Sequence, residues 1–163
     1  MSYQSSTNLV IIFNAIGIPV RLITGFAADK FTGPLNGIIP LIFLNAVMLF
    51  TWIAVTSVPA MYIETCIYGV LVGAFQCLFP TTISSLHADL SKNGVRLGMC
   101  FTAFSFAGLL APPIDGALLS TNGGGRGGYI VALLTAGIAT LIGTGLLCVA
   151  RVHMHGWKLG KKC

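Results

Sequence analysis

Apolar residues run along this chain in long charge-free stretches rather than in narrow amphipathic stripes. No Asp, Glu, Lys or Arg interrupts residues 1–20, 31–63, 65–86, 97–114 or 129–150. The stretches do not alternate polar and apolar, as the strands of a membrane barrel would. A helix needs about 20 apolar residues to cross a hydrocarbon core about 30 Å thick. The pattern therefore predicts five spans, at roughly 8–28, 36–56, 60–86, 97–119 and 129–150. The third is long for one crossing, so it tilts or its ends emerge. The expected fold is an all-α polytopic transmembrane bundle over residues 1–150, followed by a basic tail over 151–163.

Composition removes the soluble alternative. Of 163 residues, 55% are hydrophobic and 8% charged, against about 25% charged in a soluble domain. A water-soluble helical domain of this composition would expose large apolar patches and aggregate. No Lys or Arg precedes the first apolar run, so that run lacks the charged start of a signal peptide.

Charge sets orientation. With five spans, one side of the bilayer receives Lys30, Lys92, Arg96, Arg151, Lys158, Lys161 and Lys162, and the other only Arg126. Short loops rich in Lys and Arg stay in the cytoplasm, which predicts a cytoplasmic C-terminus. The net charge of +5 follows from this asymmetry and favours anionic lipid. It is no nucleic-acid signal, because no basic run is interleaved with stacking aromatics. Cysteines 66, 77, 100, 148 and 163 contain no C-x-x-C, and Cys163 has no C-a-a-X context. Four of them fall in spans, where they act as small apolar residues.

Arg21 is the exception inside the first span. At about 1.5 Å per residue it lies about 12 Å from Asp29 at the helix end. A charge at that depth is costly and normally faces a cavity or a partner. Two readings follow: a cation lining a solute path, or an arginine snorkelling to the inner interface. Pro19 favours the first, since it frees a backbone carbonyl near which a cavity or partner is expected. After it, "GFAADKFTGPLN" reads G-x-x-x-D-[RK]-x-x-G, with Gly25 allowing close helix approach, Asp29 and Lys30 at the membrane face, and Gly33-Pro34 turning the chain.

This motif resembles the cytoplasmic loop between the second and third helices of each half of the major facilitator superfamily. With "NAIGIPVRLITGFAADKFTGPLN", "YGVLVGAF" and "RLGMCFTAFSFAGLLAPPIDGAL", the chain is similar to the C-terminal half of monocarboxylate-transporter-like facilitators of the fungal branch. The likeness covers about residues 8–150 and makes the five spans helices eight to twelve of twelve. It implies a secondary transporter, not an enzyme, moving small monocarboxylates or related organic anions by alternating access, with or without a proton, in the plasma membrane. It also implies that Arg21 matches an arginine of helix eight that binds the carboxylate or couples the proton. Animal members commonly carry an aspartate one turn earlier, where Gly17 stands here. Five spans supply one wall of a path built between two halves. The expectation is a chain that does not transport alone and needs the N-terminal half. The alternative is a non-transporting truncated protein that associates with a full-length carrier or is degraded.

Other positions take roles from type and spacing. Gly69 and Gly73 form a G-x-x-x-G suited to helix packing, and Pro80 bends the same span. Gln76 is polar inside a span and needs a partner; with Phe75 it falls where the family's helix ten faces the path. Asn14 lies two turns before Arg21 on its face and is a further candidate for lining the path. Glu64 sits near the outer end of the third span, where interfacial solvation is expected. Pro112 and Pro113 bend or end the fourth span, in a Pro-Pro-x-x-Gly that includes Gly116, with Asp115 between. His87 and Asp89 lie in a polar connection without a nucleophile or metal set. "STNGGGRGGY" is an outer loop without a phosphate-loop ending. His153 and His155 are too few for a metal site. No cofactor or metal is expected.

Overall fold

The computed structural model describes residues 3–28, 30, 33–85, 90–120 and 125–155. Its helices are α1 (Tyr3–Ala27), α2 (Pro34–Ala54), α3 (Val58–Ser85), α4 (Asn93–Ser120) and α5 (Arg126–His155), with one 3-10 turn at Leu90–Lys92 before α4. All five helices are long and apolar enough to cross a membrane. The chain is thus an all-α bundle, as the charge-free runs predict.

The helices continue beyond the uncharged windows. α1 continues past Arg21 to Ala27 and α5 runs from Arg126 to His155, because charge marks the membrane boundary and not the end of a helix. The Gly-rich stretch is partly helical for a local reason. Gly125 takes φ +77°, a left-handed turn that glycine adopts without steric cost, and Tyr129 N–H then donates to the Gly125 carbonyl at 3.2 Å. Gly33 supplies the matching corner before α2. It has φ 74°, and its N–H donates to the Ala28 carbonyl at 3.0 Å. Pro34 then opens the helix, where its missing N–H costs nothing.

Prolines do not end any helix. Pro19, Pro40 and Pro80 lie inside α1, α2 and α3, and α4 passes through both Pro112 and Pro113 to Ser120. Of the two readings of the Pro pair, ending the fourth span is excluded and bending it is left; membrane helices tolerate such breaks in the ladder. Hydroxyls inside the spans bond their own helices. Thr65, Thr81, Thr140 and Thr144 each donate to the carbonyl four residues earlier at 2.7–2.9 Å, which removes a polar group that lipid could not satisfy.

α3 is the hub. α1 packs along one side of it and α2 along another; α5 lies against α2, and α4 sits at the edge against α5 and α3. The buried core gathers Ala28, Leu35, Ile38 and Leu78, with Phe75 and Phe79 packed on it. Most other large apolar side chains point outward, among them Leu22, Phe26, Phe106 and Leu146, as expected where the solvent is lipid.

Candidate functional site

Glycines bring α1 and α3 together. A Cβ on Gly73 would meet the Gly17 Cα at 3.0 Å and its carbonyl oxygen at 3.1 Å; one on Gly69 would meet the Phe13 carbonyl oxygen at 3.2 Å. Backbone cannot yield as a flexible side chain does, so both positions require the small residue that such crossings use. Along this same contact lies a narrow cleft of about 10 Å³, room for about one water molecule. Asn14, Arg21, Val72 and Gln76 line it together with Phe13 and the contact glycines Gly17, Gly69 and Gly73.

Arg21 and Gln76 meet across that cleft. An Nη2 proton of Arg21 is donated to Oε1 of Gln76, and both side chains remain exposed. The two residues singled out separately in the sequence, 55 positions apart, therefore form one unit. The pair reconciles the alternatives for Gln76, which makes an interhelical hydrogen bond and lines a cleft. Interhelical hydrogen bonds in membranes average about 0.6 kcal/mol. The bond is thus too weak to hold the helices together, and its consequence is orientation of the guanidinium. Because the partner is a neutral amide, the arginine keeps its charge uncompensated and has further N–H donors in a planar fork. Asn14 shares the cleft, but its Nδ2 donates to the Val10 carbonyl of its own helix at 2.8 Å.

Other candidates lie elsewhere. Phe75 leaves the cleft face. Its ring is 5.7 Å from that of Phe79, against the apolar core, and it borders a separate cavity between α2, α3 and α5. Gly25 faces a side chain rather than a backbone, since a Cβ there would meet the Cys77 Sγ at 3.5 Å, an ordinary contact. Lys30 is exposed and interacts within the structure. Asp29, His87 and Asp89 lie outside the described residues, so the gating motif is placed only at Gly25, Lys30 and Gly33. A Cβ on Gly116 would meet nothing within 4 Å. Glu64, half-buried near the start of α3, accepts a hydrogen bond at its Oε1 from Thr51 Oγ1 of α2 at 2.6 Å. Among the described residues no group of three or more His, Cys, Asp or Glu is placed to hold a metal ion.

Two parts of the site escape the sequence reading. Gly17 appears there as a missing aspartate, whereas its backbone is what Gly73 of α3 packs against. Val72 and Phe13 look like ordinary lipid-facing residues. A signal existed in both cases: 13, 17 and 21 recur every four residues on α1, and 69, 72, 73 and 76 form a matching stripe on α3.

No protein-family model and no solved structure matches the chain. Curated relatives do. An MFS-type transporter of Gibberella zeae is 38% identical over 153 residues, covering 94% of this chain and 34% of the relative. An aspyridones efflux protein of Emericella nidulans is 33% identical, over 76% of this chain and 25% of the relative. A riboflavin transporter of Saccharomyces cerevisiae is 28% identical, over 97% of this chain and 30% of its own length. The chain spans about a third of the length of such relatives, and they are transporters rather than enzymes. Five apolar helices make the chain an integral multi-pass membrane protein, and relatives of this kind show that it belongs to the major facilitator superfamily.

Proposed function

We propose that the chain is one wall of the solute path of a secondary transporter for organic anions, working by alternating access together with further spans. The observation that carries this reading is Arg21, whose charge is oriented by a neutral amide across a cleft. A guanidinium so held binds a carboxylate by two parallel N–H···O bonds. Asn14 offers its carbonyl oxygen at the rim, and the motif around Gly25, Asp29, Lys30 and Gly33 serves as the cytoplasmic gate. Small monocarboxylates are the substrate class that the family resemblance favours. The Lys and Arg bias supports a cytoplasmic C-terminus, and the plasma membrane is the family's default location. Gly17, standing where animal members commonly carry an aspartate, supplies no proton acid, so a coupled proton needs another carboxyl.

The test is co-expression. The chain is produced with the upstream two-thirds of the Gibberella zeae relative in yeast deficient in carboxylate uptake. Uptake of labelled lactate is expected only when both parts are present, and Arg21→Gln should abolish it while Arg21→Lys restores part. Uptake that Arg21→Gln leaves unchanged overturns the role of Arg21. Co-purification of the two parts without uptake supports instead a non-transporting associate of a full-length carrier.

A further inference from the structure

α3 and α5 both pack on α2 but scarcely on each other. The space between them is a cavity of about 280 Å³, bounded by α2, α3 and α5. That is near the lower end of small-molecule pockets, about 300 Å³ and upward. Phe50 of α2 packs onto Gly137 of α5, where a Cβ would meet the ring at 2.8 Å. One turn further along α5 the small residue Thr140 faces the cavity instead. Val72 stands between this cavity and the Arg21 cleft, so the two are separate sites.

The walls define what fits. Two rings of α3, Tyr68 and Phe75, form one side. Both are braced from behind: Tyr68 lies with ring centroids 6.0 Å from Phe13 and 5.4 Å from Trp52, and Phe75 lies 5.7 Å from Phe79. Rings so fixed favour a flat partner, stacked or edge-on. None of the described lining residues carries a charge. The two polar ones offer lone pairs. Thr140 spends its proton on the Ala136 carbonyl at 2.8 Å, which leaves its oxygen as an acceptor. Asn45 is only 8% exposed, and its Nδ2 donates to the Leu41 carbonyl at 2.9 Å. Its Oδ1 has no hydrogen-bond partner, a costly state for a buried amide. The terminal torsion of asparagine is broad, so this oxygen turns readily toward a donor in the cavity. An acyl chain has no such donor, and an anion finds no cation here.

We propose that the cavity is a binding site for a small, neutral, flat molecule of one or two rings bearing an N–H or O–H, the class of indoles and phenols. The ring lies against Tyr68 and Phe75, and its donor meets Asn45 Oδ1. Bound there, it ties α5 to the hub α3. The site is independent of the reading of Arg21 and takes a different class of ligand from the anion.

The experiment is equilibrium dialysis of the chain in phosphatidylcholine nanodiscs, with empty nanodiscs subtracted, using labelled indole and labelled 1-methylindole. The two share a ring system, and only indole has an N–H. From the net worth of one hydrogen bond, indole is expected to bind roughly three- to tenfold more tightly. Asn45→Leu should make the two equal. Thr140→Phe, which fills the cavity from α5, should remove the binding of both, with helix content by circular dichroism as the folding control. Equal binding of the two to the unaltered chain overturns the site without any variant. So does an indole preference that survives Asn45→Leu, or binding that survives Thr140→Phe, which puts the ring elsewhere on the helices. Binding of neither molecule overturns it too, and marks the cavity as filled by water or an acyl chain.

Discussion

α3 and α4 have the same length, 28 residues, and each qualifies as a span on its own. In the most apolar stretch of α3, 33% of residues are buried; in that of α4, none is. Hydropathy does not separate them. What differs is where small residues meet a neighbour. On α3, Gly69 and Gly73 lie against the α1 backbone, and Thr65 and Thr82 are buried. On α4, Gly98, Gly108 and Gly116 would each find nothing within 4 Å of an added Cβ. In lipid there is little hydrophobic drive for one apolar helix to join another, and association depends on close packing and hydrogen bonds. Two glycines therefore build a hub in α3, whereas four leave α4 at the edge, joined to α3 through Phe79 against Phe101 and Phe104.

The sharpest break of this contrast is Gly73→Val beside Gly108→Val. The first drives side-chain atoms into the Gly17 backbone and should cost about 1–3 kcal/mol, the range of overpacked cores. The second should stay within about 0.5 kcal/mol. Thermal unfolding in nanodiscs followed by circular dichroism measures both, and equal losses would remove the claim that α3 is the hub.

A smaller effect sharpens the α3–α4 join. Phe79→Ala removes its two ring contacts to α4, worth about 0.5–1.5 kcal/mol each, along with the one to Phe75 within α3. Hydrogen exchange should rise along α4 while α1 keeps its protection; uniform loosening would show that α4 is as integrated as α3.

An asymmetry within one contact comes next. Gly69→Ala pushes on the Phe13 carbonyl oxygen, whereas Gly17→Ala meets nothing within 4 Å. The first should lower the unfolding midpoint and the second should not; the reverse order would mean that α1 and α3 cross elsewhere. The smallest expected change is Thr51→Val, which removes the bond to Glu64 at the outer end of α2 and α3. Its cost should be about 0.6 kcal/mol, read in the same unfolding assay, and a loss several times larger would make that end, not the glycine stripe, the main tie to α3.

Much of the site was legible, and the gaps have physical causes. Arg21 stands out because a charge in an apolar run is expensive wherever the helix packs. Gln76 stands out as a polar group that needs a partner. That each is the other's partner follows from the rotation of α1 against α3, which is set by which small residues touch, and Gly17 is silent about that in one dimension. Phe75 shows the converse. Neighbouring Gln76 in sequence, it turns about 100° away around a helix of 3.6 residues per turn, and so borders the inner cavity instead of the cleft.

The sequence by itself determined that this chain crosses a membrane and where its five apolar spans lie. Those properties come from single residues interacting with the bilayer, and each adds independently along the chain. Only the tertiary structure decided which of five similar helices is central, that Arg21 meets Gln76, and that Val72 separates a cationic cleft from an apolar cavity. Those facts depend on pairs of residues whose contact requires a particular approach and rotation of two helices, and lipid, being equally apolar on every side, leaves that choice to packing alone.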